Sequence, residues 1–252
     1  MGISKTDEGA QRNRIRESSS LILLIRHGQS EGNLSGVLSR NQNELPLTGL
    51  GVEQAEFVAK ELLKIRVDGV ISSPLLRARQ TAEIIARETG KNLSIENGLN
   101  ERDFGELDGS VVDKYTWRFE RGKGVESFDN IYKRVESFMD GVREESVVVG
   151  VTHGDTIRAP VLKLLGLDEI SGFGLRIYNA NITVIEKTIS TYEVVTFDGN
   201  DDDRGIHSSV SHKSDNRYKV LMCGIPLIND IVLERIPERF RNAQLDQAVG
   251  RI

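Results

Sequence analysis

Apolar residues along the chain fall into two alternating patterns. Leu21-Ile22-Leu23-Leu24-Ile25 and Val147-Val148-Val149-Gly150-Val151-Thr152 are continuous runs, as expected for strands buried on both faces of a parallel sheet. Between them, apolar positions recur at steps of three and four. Val52, Ala55, Val58, Leu62 and Ile65 define a helix opening at the N-cap Thr48. Leu75, Ala78, Ala82 and Ile85 define one that starts at Ser73-Pro74 and stops at Gly90. Ile131, Val135, Phe138 and Val142 form the buried stripe of a helix from Ser127 to Glu145, and a further helix runs from Thr156 to Leu165, ended by Gly166. Short strands are expected at Gly69–Ser72 and Asn92–Glu96, and a β-meander near 174–178, 182–186 and 192–196. Strands alternating with helices predict a three-layer α/β/α sandwich around a mostly parallel central sheet with an antiparallel edge.

The polar stretches set the expected boundaries. Residues 1–20 read as a disordered arm, 21–198 as the principal domain and 199–217 as a polar linker. Residues 218–252 read as an accessory segment, with Pro237 dividing any helix there. Its apolar residues Ile228, Ile231, Leu233 and Phe240 need cover from the domain or from a partner subunit, as a homodimer contact or a flap near the pocket mouth. On this reading, cutting after Asn200 leaves a folded domain with its function intact.

Across 252 residues the chain is 38% hydrophobic and 28% charged, with net charge −5. That balance gives no footprint for nucleic acid, so any cationic chemistry should be local. No apolar stretch reaches the roughly 18 residues a membrane span needs. Polar residues fill positions 1–20, which excludes a signal-peptide core there, and Cys223 has no second cysteine to pair with. A cytoplasmic location is therefore expected. His207, His212 and Asp201-Asp202-Asp203 sit in the polar linker without metal-like spacing and read as solvated, and Cys223 reads as a packed thiol.

Candidate chemistry sits where the strands end. Arg26-His27-Gly28 closes the first apolar run and His153-Gly154 the other. Ligands of open α/β sheets collect beyond the carboxyl ends of the strands, so two histidines there, one beside an arginine, point to one anion-handling site. The stretch Arg26-His27-Gly28-Gln29-Ser30-Glu31-Gly32-Asn33 resembles the signature of the histidine phosphatase superfamily, the phosphoglycerate-mutase-like proteins. So do Pro46-Leu47-Thr48 with Gly51 and Gln54-Ala55. The run from Ser72 to Ala82, containing Arg77, is similar to the second family motif. The segment from Leu99 to Gly105, containing Glu101, is similar to the third, and Thr152-His153-Gly154 to the fourth. Four motifs occur in the family's order.

The resemblance implies a phosphoglycerate-mutase-like fold and a phosphohistidine intermediate on His27. On chemical grounds a neutral imidazole can attack phosphorus, while Arg26 and Arg77 clamp phosphoryl oxygens with planar, permanently charged donors. His153, if protonated, adds another charged hydrogen bond. Glu101 is the acid-base candidate, its pKa expected to fall beside the cations and to rise again once a phosphate dianion binds. Asn33 matches the family's phosphate-contacting asparagine, and Gly28 and Gly154 would let phosphate and backbone approach closely. Ser39 and Arg40 are candidate substrate contacts, Arg40 either pairing with a second anionic group or facing solvent. Arg79 should lie on another face from Arg77. With four side chains supplying the charge, no metal or other cofactor is expected; the expected partner is a small phosphorylated molecule.

Three functions fit: a phosphatase, a cofactor-dependent phosphoglycerate mutase, and a non-catalytic phosphate-binding relative. The last is disfavoured because every family catalytic position is filled. The interval from Glu101 to His153 lacks the sizeable insertion of the glycolytic mutases. Gly124-Val125-Glu126-Ser127-Phe128 with Arg134, and Asp155 after His153-Gly154, also resemble the phosphatase branch. The phosphatase is the favoured reading.

Overall fold

The computed structural model describes residues 19–40, 45–111, 123–170, 175–188, 218–225 (as backbone) and 240. Of the arm expected over 1–20, residues 1–18 lie outside the described residues, but Ser19 and Ser20 are buried and open the first strand instead; the strand at 192–196, the linker with its histidines and aspartates, and Pro237 also lie outside the described residues. In chain order the elements are β1 (Ser19–Arg26), α1 (Glu31–Ser35), α2 (Gly49–Leu62), β2 (Gly69–Ser72), α3 (Leu76–Thr89) and β3 (Leu93–Ile95). They continue with α4 (Phe128–Asp140), β4 (Val147–Thr152), α5 (Gly154–Leu164), β5 (Ile182–Thr188) and β6 (Tyr218–Ile225).

The sheet has six strands in the order β3-β2-β4-β1-β5-β6. β1, β2, β3 and β4 pair in parallel, and β5 and β6 add an antiparallel edge. Both faces are covered, which makes the three-layer sandwich. Leu21, Leu23 and Ile25 join the core beneath α2 and α3, while Ile22 and Leu24 join the core beneath α4 and α5. All five are completely buried, which is why the run is continuous rather than alternating.

Local punctuation behaves as its chemistry requires. Thr48 Oγ1 accepts from Gly51 N at the start of α2, and Ser127 Oγ accepts from Asn130 N at the start of α4. Gly90 ends α3 in the left-handed conformation (φ 65°), where a β-carbon would be strained. Ser73-Pro74 precedes α3 by a turn rather than capping it, because the cap position falls on Leu75.

Two expectations need correction. Residues 175–178 are not a strand, and the antiparallel edge beyond β5 is built by β6. The sheet therefore does not end near Thr196. Phe240 is fully buried in the α2/α3 core, and its carbonyl accepts from Arg66 N at 2.8 Å. The chain after Phe197 thus supplies a strand and a core side chain. Among the described residues no helix is long and apolar enough to cross a membrane.

Candidate active site

β1 and β4 are neighbours, with Arg26 paired in register to Thr152. Each histidine therefore follows the carboxyl end of its strand, and His27 N donates to Thr152 O at 2.9 Å. β2 ends at the same edge, so the first turn of α3 delivers Arg77 there. Glu101 comes from the loop after β3. The site is a cleft of about 410 Å³ lined by Arg26, His27, Asn33, Arg77, Glu101 and Gly154, among others. A separate cleft of about 500 Å³ near Asp68, Glu96 and Arg143 contains none of these groups.

His27 is 2% exposed. Its Nδ1 lies 2.7 Å from Gly28 O; a carbonyl only accepts, so Nδ1 carries the hydrogen and Nε2 is left with its lone pair. Arg77 Nε donates to that Nε2 at 3.2 Å. Burial first, and then the Arg77 and Arg26 charges, hold the His27 pKa well below its ordinary value. The ring is thus kept neutral, as a nucleophile requires.

Arg77 also donates through Nη2 to Ser39 O at 2.7 Å, and Arg26 donates through Nη1 to Ile177 O at 2.7 Å. Both side chains are anchored at one end by backbone carbonyls, which fixes their direction. Arg26 Nε and His153 Nδ1 are buried without hydrogen-bond partners in the described structure. Such polar atoms are costly unless a ligand meets them.

His153 is completely buried, and its ring stands 5.1 Å from that of His27 at 61°. Nε2 lies 2.8 Å from Ser73 Oγ, and Nδ1 lies 3.9 Å from Glu101 Oε2. Burial, then Arg77, His27 and Arg26, lower its pKa well below normal, so the His153 ring is neutral. The expected charged hydrogen bond from it requires a bound phosphate dianion to raise the ring's pKa until it takes up a proton from solvent.

Glu101 departs from expectation in the opposite sense. Its pKa is already raised by the protein alone, by burial first and Asp155 second, against smaller lowering effects from Arg77, the Arg102 amide and Arg26. With its side chain only 13% exposed, desolvation outweighs the cations. The Glu101 loop is clamped by Glu126, whose carboxylate is gripped by Arg134 at 2.9 and 3.1 Å and accepts from Asp103 N at 3.1 Å.

The remaining candidates divide. Asn33 lines the cleft, with Oδ1 accepting from Ser30 N and from Asn179 Nδ2. Ser39 lines it as well, its carbonyl holding Arg77. Arg40 is neither an open anion receptor nor a free surface group, because its guanidinium pairs with Asp103 at 2.9 Å. Its amide donates to Asp108 at 2.6 Å. Gly28 serves backbone packing rather than phosphate approach, since a β-carbon there would sit 2.3 Å from Gly51 O. A β-carbon at Gly154 would meet Arg26 Nε only at 3.8 Å. Arg79 is exposed.

Several members were not singled out by sequence reasoning. Ser73 holds His153, Thr81 Oγ1 accepts from Gly28 N at 3.0 Å, and Asn179 Nδ2 donates to His27 O at 2.9 Å. Ser73 and Thr81 sit inside the Arg77 motif, and that proximity was the available signal. Buried Asp155, which the sequence did mark by its place after His153-Gly154, pairs with Arg158 on the wall of the cleft. Among the described residues no three His, Cys, Asp or Glu side chains group as a metal ligand set.

The model of the histidine phosphatase superfamily (branch 1) matches residues 22–199. A 2,3-bisphosphoglycerate-dependent phosphoglycerate mutase of Thermoplasma acidophilum is 34% identical over 178 residues, covering 67% of this chain and 88% of that protein. A solved mycobacterial glucosyl-3-phosphoglycerate phosphatase in complex with VO3 superposes with TM-score 0.58 at 26% identity. It covers 66% of this chain and 92% of that one. A phosphoserine phosphatase of Entamoeba histolytica in complex with 3-phosphoglyceric acid gives TM-score 0.56 at 27% identity, covering 66% and 90%.

Proposed function

The chain belongs to branch 1 of the histidine phosphatase superfamily, and we propose that it is a phosphatase that hydrolyses small-molecule phosphomonoesters through a phosphohistidine on His27. One observation carries this reading: a buried, neutral His27 whose protonated Nδ1 is tied to Gly28 O, leaving Nε2 as a lone-pair donor beside Arg77.

In the first half-reaction Nε2 attacks phosphorus and the ester P–O bond breaks. Arg26 and Arg77 take the charge on the equatorial oxygens, and the N-terminus of α5 at Gly154 adds backbone dipole. The leaving alkoxide receives the proton of Glu101, which the raised pKa keeps available. In the second half, the Glu101 carboxylate takes a proton from water. The resulting hydroxide attacks phosphorus, the N–P bond breaks, and inorganic phosphate and neutral His27 are restored.

The 34%-identical mutase favours a second reading, a cofactor-dependent phosphoglycerate mutase, in which the phosphohistidine passes to a sugar-acid hydroxyl instead of water. Against it stand the compact Glu101–His153 interval and the Glu126–Arg134 clamp, the latter built from the residues that resemble the phosphatase branch. The deciding experiment runs phosphate release from sugar phosphates, phosphoglycerates, nucleotides and phosphoprotein beside a mutase assay primed with bisphosphoglycerate. Phosphate release should dominate; isomerisation outrunning it would select the mutase. His27→Ala should abolish turnover and phosphoenzyme trapping together. An acid-labile, base-stable phosphoenzyme persisting in that variant would remove His27 as nucleophile.

A further inference from the structure

We infer that the alcohol half of the substrate is apolar, an aliphatic or aromatic chain seated against Leu34, Val37, Leu38, Leu45 and Phe104; this rests on the phosphatase reading above. Those five residues line the same cleft as His27, Arg26 and Arg77, so an apolar wall lies within reach of a group extending from a phosphoryl on His27. Leu34 is the telling member. It is 63% exposed on α1, the short helix directly after the nucleophile loop, where a polar residue would be more soluble. Its apolar surface is continuous with a cleft of about 410 Å³, within the range of small-ligand sites. A hydrocarbon leaving group is the occupant that removes it from water.

Charge supports the same occupant. A phosphorylated acid needs a second cationic receptor. Among the described residues near the cleft, Arg40 is paired with Asp103, Arg158 with Asp155, and Arg102 with Asp155 and Glu169. Diverting Arg40 or Arg102 to a substrate carboxylate breaks its ion pair with Asp103 or Glu169, and diverting Arg158 leaves buried Asp155 only the longer Arg102 contact at 3.5 Å. An apolar group asks for none of this.

The test is a series of n-alkyl phosphates from ethyl to hexyl, with 3-phosphoglycerate for comparison. The alkoxides differ little in basicity, so chain length changes contact and not chemistry. Each methylene fully buried corresponds to about a fourfold gain; a partly open wall should give a kcat/KM rise of about two- to fourfold per methylene. Hexyl phosphate should surpass 3-phosphoglycerate. Leu34→Asp, on an exposed position where folding is not at stake, should flatten the slope. A flat or falling series, or 3-phosphoglycerate as the better substrate, overturns the inference while leaving the phosphatase reading intact. If no substrate releases phosphate, that reading fails, and n-alkylphosphonates, which bind without turnover, still decide the wall: Kd should fall with chain length by the same factor, and a flat Kd refutes it.

Discussion

Gly28→Ala isolates how the nucleophile is placed. The β-carbon added there would lie 2.3 Å from Gly51 O, about 1.1 Å short of the 3.4 Å at which ordinary contact begins. The obstructing atom is backbone at the N-terminal turn of α2, and Gly51 is itself packed against Gln29, with a β-carbon position 2.0 Å from Gln29 O. Neither side can yield by rotating a side chain. The His27–Gly28 backbone must therefore shift by about an ångström, loosening the Nδ1–H···O=C bond to Gly28 and the amide bond from Gly28 N to Thr81 Oγ1. Overpacking of this kind costs about 1–3 kcal/mol of stability. A misplacement of about 1 Å at a reacting group costs about a hundredfold in rate. Urea unfolding should show the first loss, and single-turnover phosphorylation at saturating substrate the second. Gly49→Ala is the control, since its β-carbon meets nothing within 4 Å, and it should match the parent protein in both assays. A Gly28→Ala protein within about twofold of the parent phosphorylation rate would refute the placement argument.

Two further outcomes are expected. Phosphorylation requires neutral His27, whose pKa is lowered, and protonated Glu101, whose pKa is raised; kcat/KM should hence be bell-shaped, with its acid limb below the ordinary histidine range and its alkaline limb above the ordinary carboxylate range. Glu101→Gln should erase the alkaline limb and lose more rate on alkyl than on aryl phosphates, because aryl leaving groups need little protonation; equal losses in single-turnover phosphorylation would reduce Glu101 to a positioning group. Phe240→Ala should cost about 3–5 kcal/mol in urea unfolding, the range for a fully buried phenylalanine. Truncation after Asn200 should be worse, since it also removes β6 and uncovers the edge of β5; a truncated protein as stable as the full chain would return the boundary to Phe197.

Much of the architecture could be read along the chain because its causes are local. Continuous apolar runs, helical spacing of apolar residues and caps such as Thr48, Ser127 and Gly90 act within a few residues of themselves. They placed β1, α2, α3, α4 and β4, and with parallel pairing they placed His27 and His153 at one edge. The identities of Arg26, Arg77 and Glu101 were legible for the same reason, as charges in motifs attached to those elements. What joins residues far apart was not legible. β6 finds β5 across a long intervening stretch, and Phe240 enters a core built by β1, α2, α3, β4 and β5. Neither carries a signal of its partner. Arg40 could not declare Asp103 from sequence, nor Gly28 the carbonyl of Gly51. The direction of the Glu101 pKa was decided the same way: sequence counts the neighbouring cations, but burial, which proved larger, exists only after folding. Residue types and periodicity thus determined which groups reach the edge of the sheet. The tertiary structure alone decided their desolvation, their hydrogen-bond direction and what walls the cleft, because each depends on atoms that the chain brings together only when it packs.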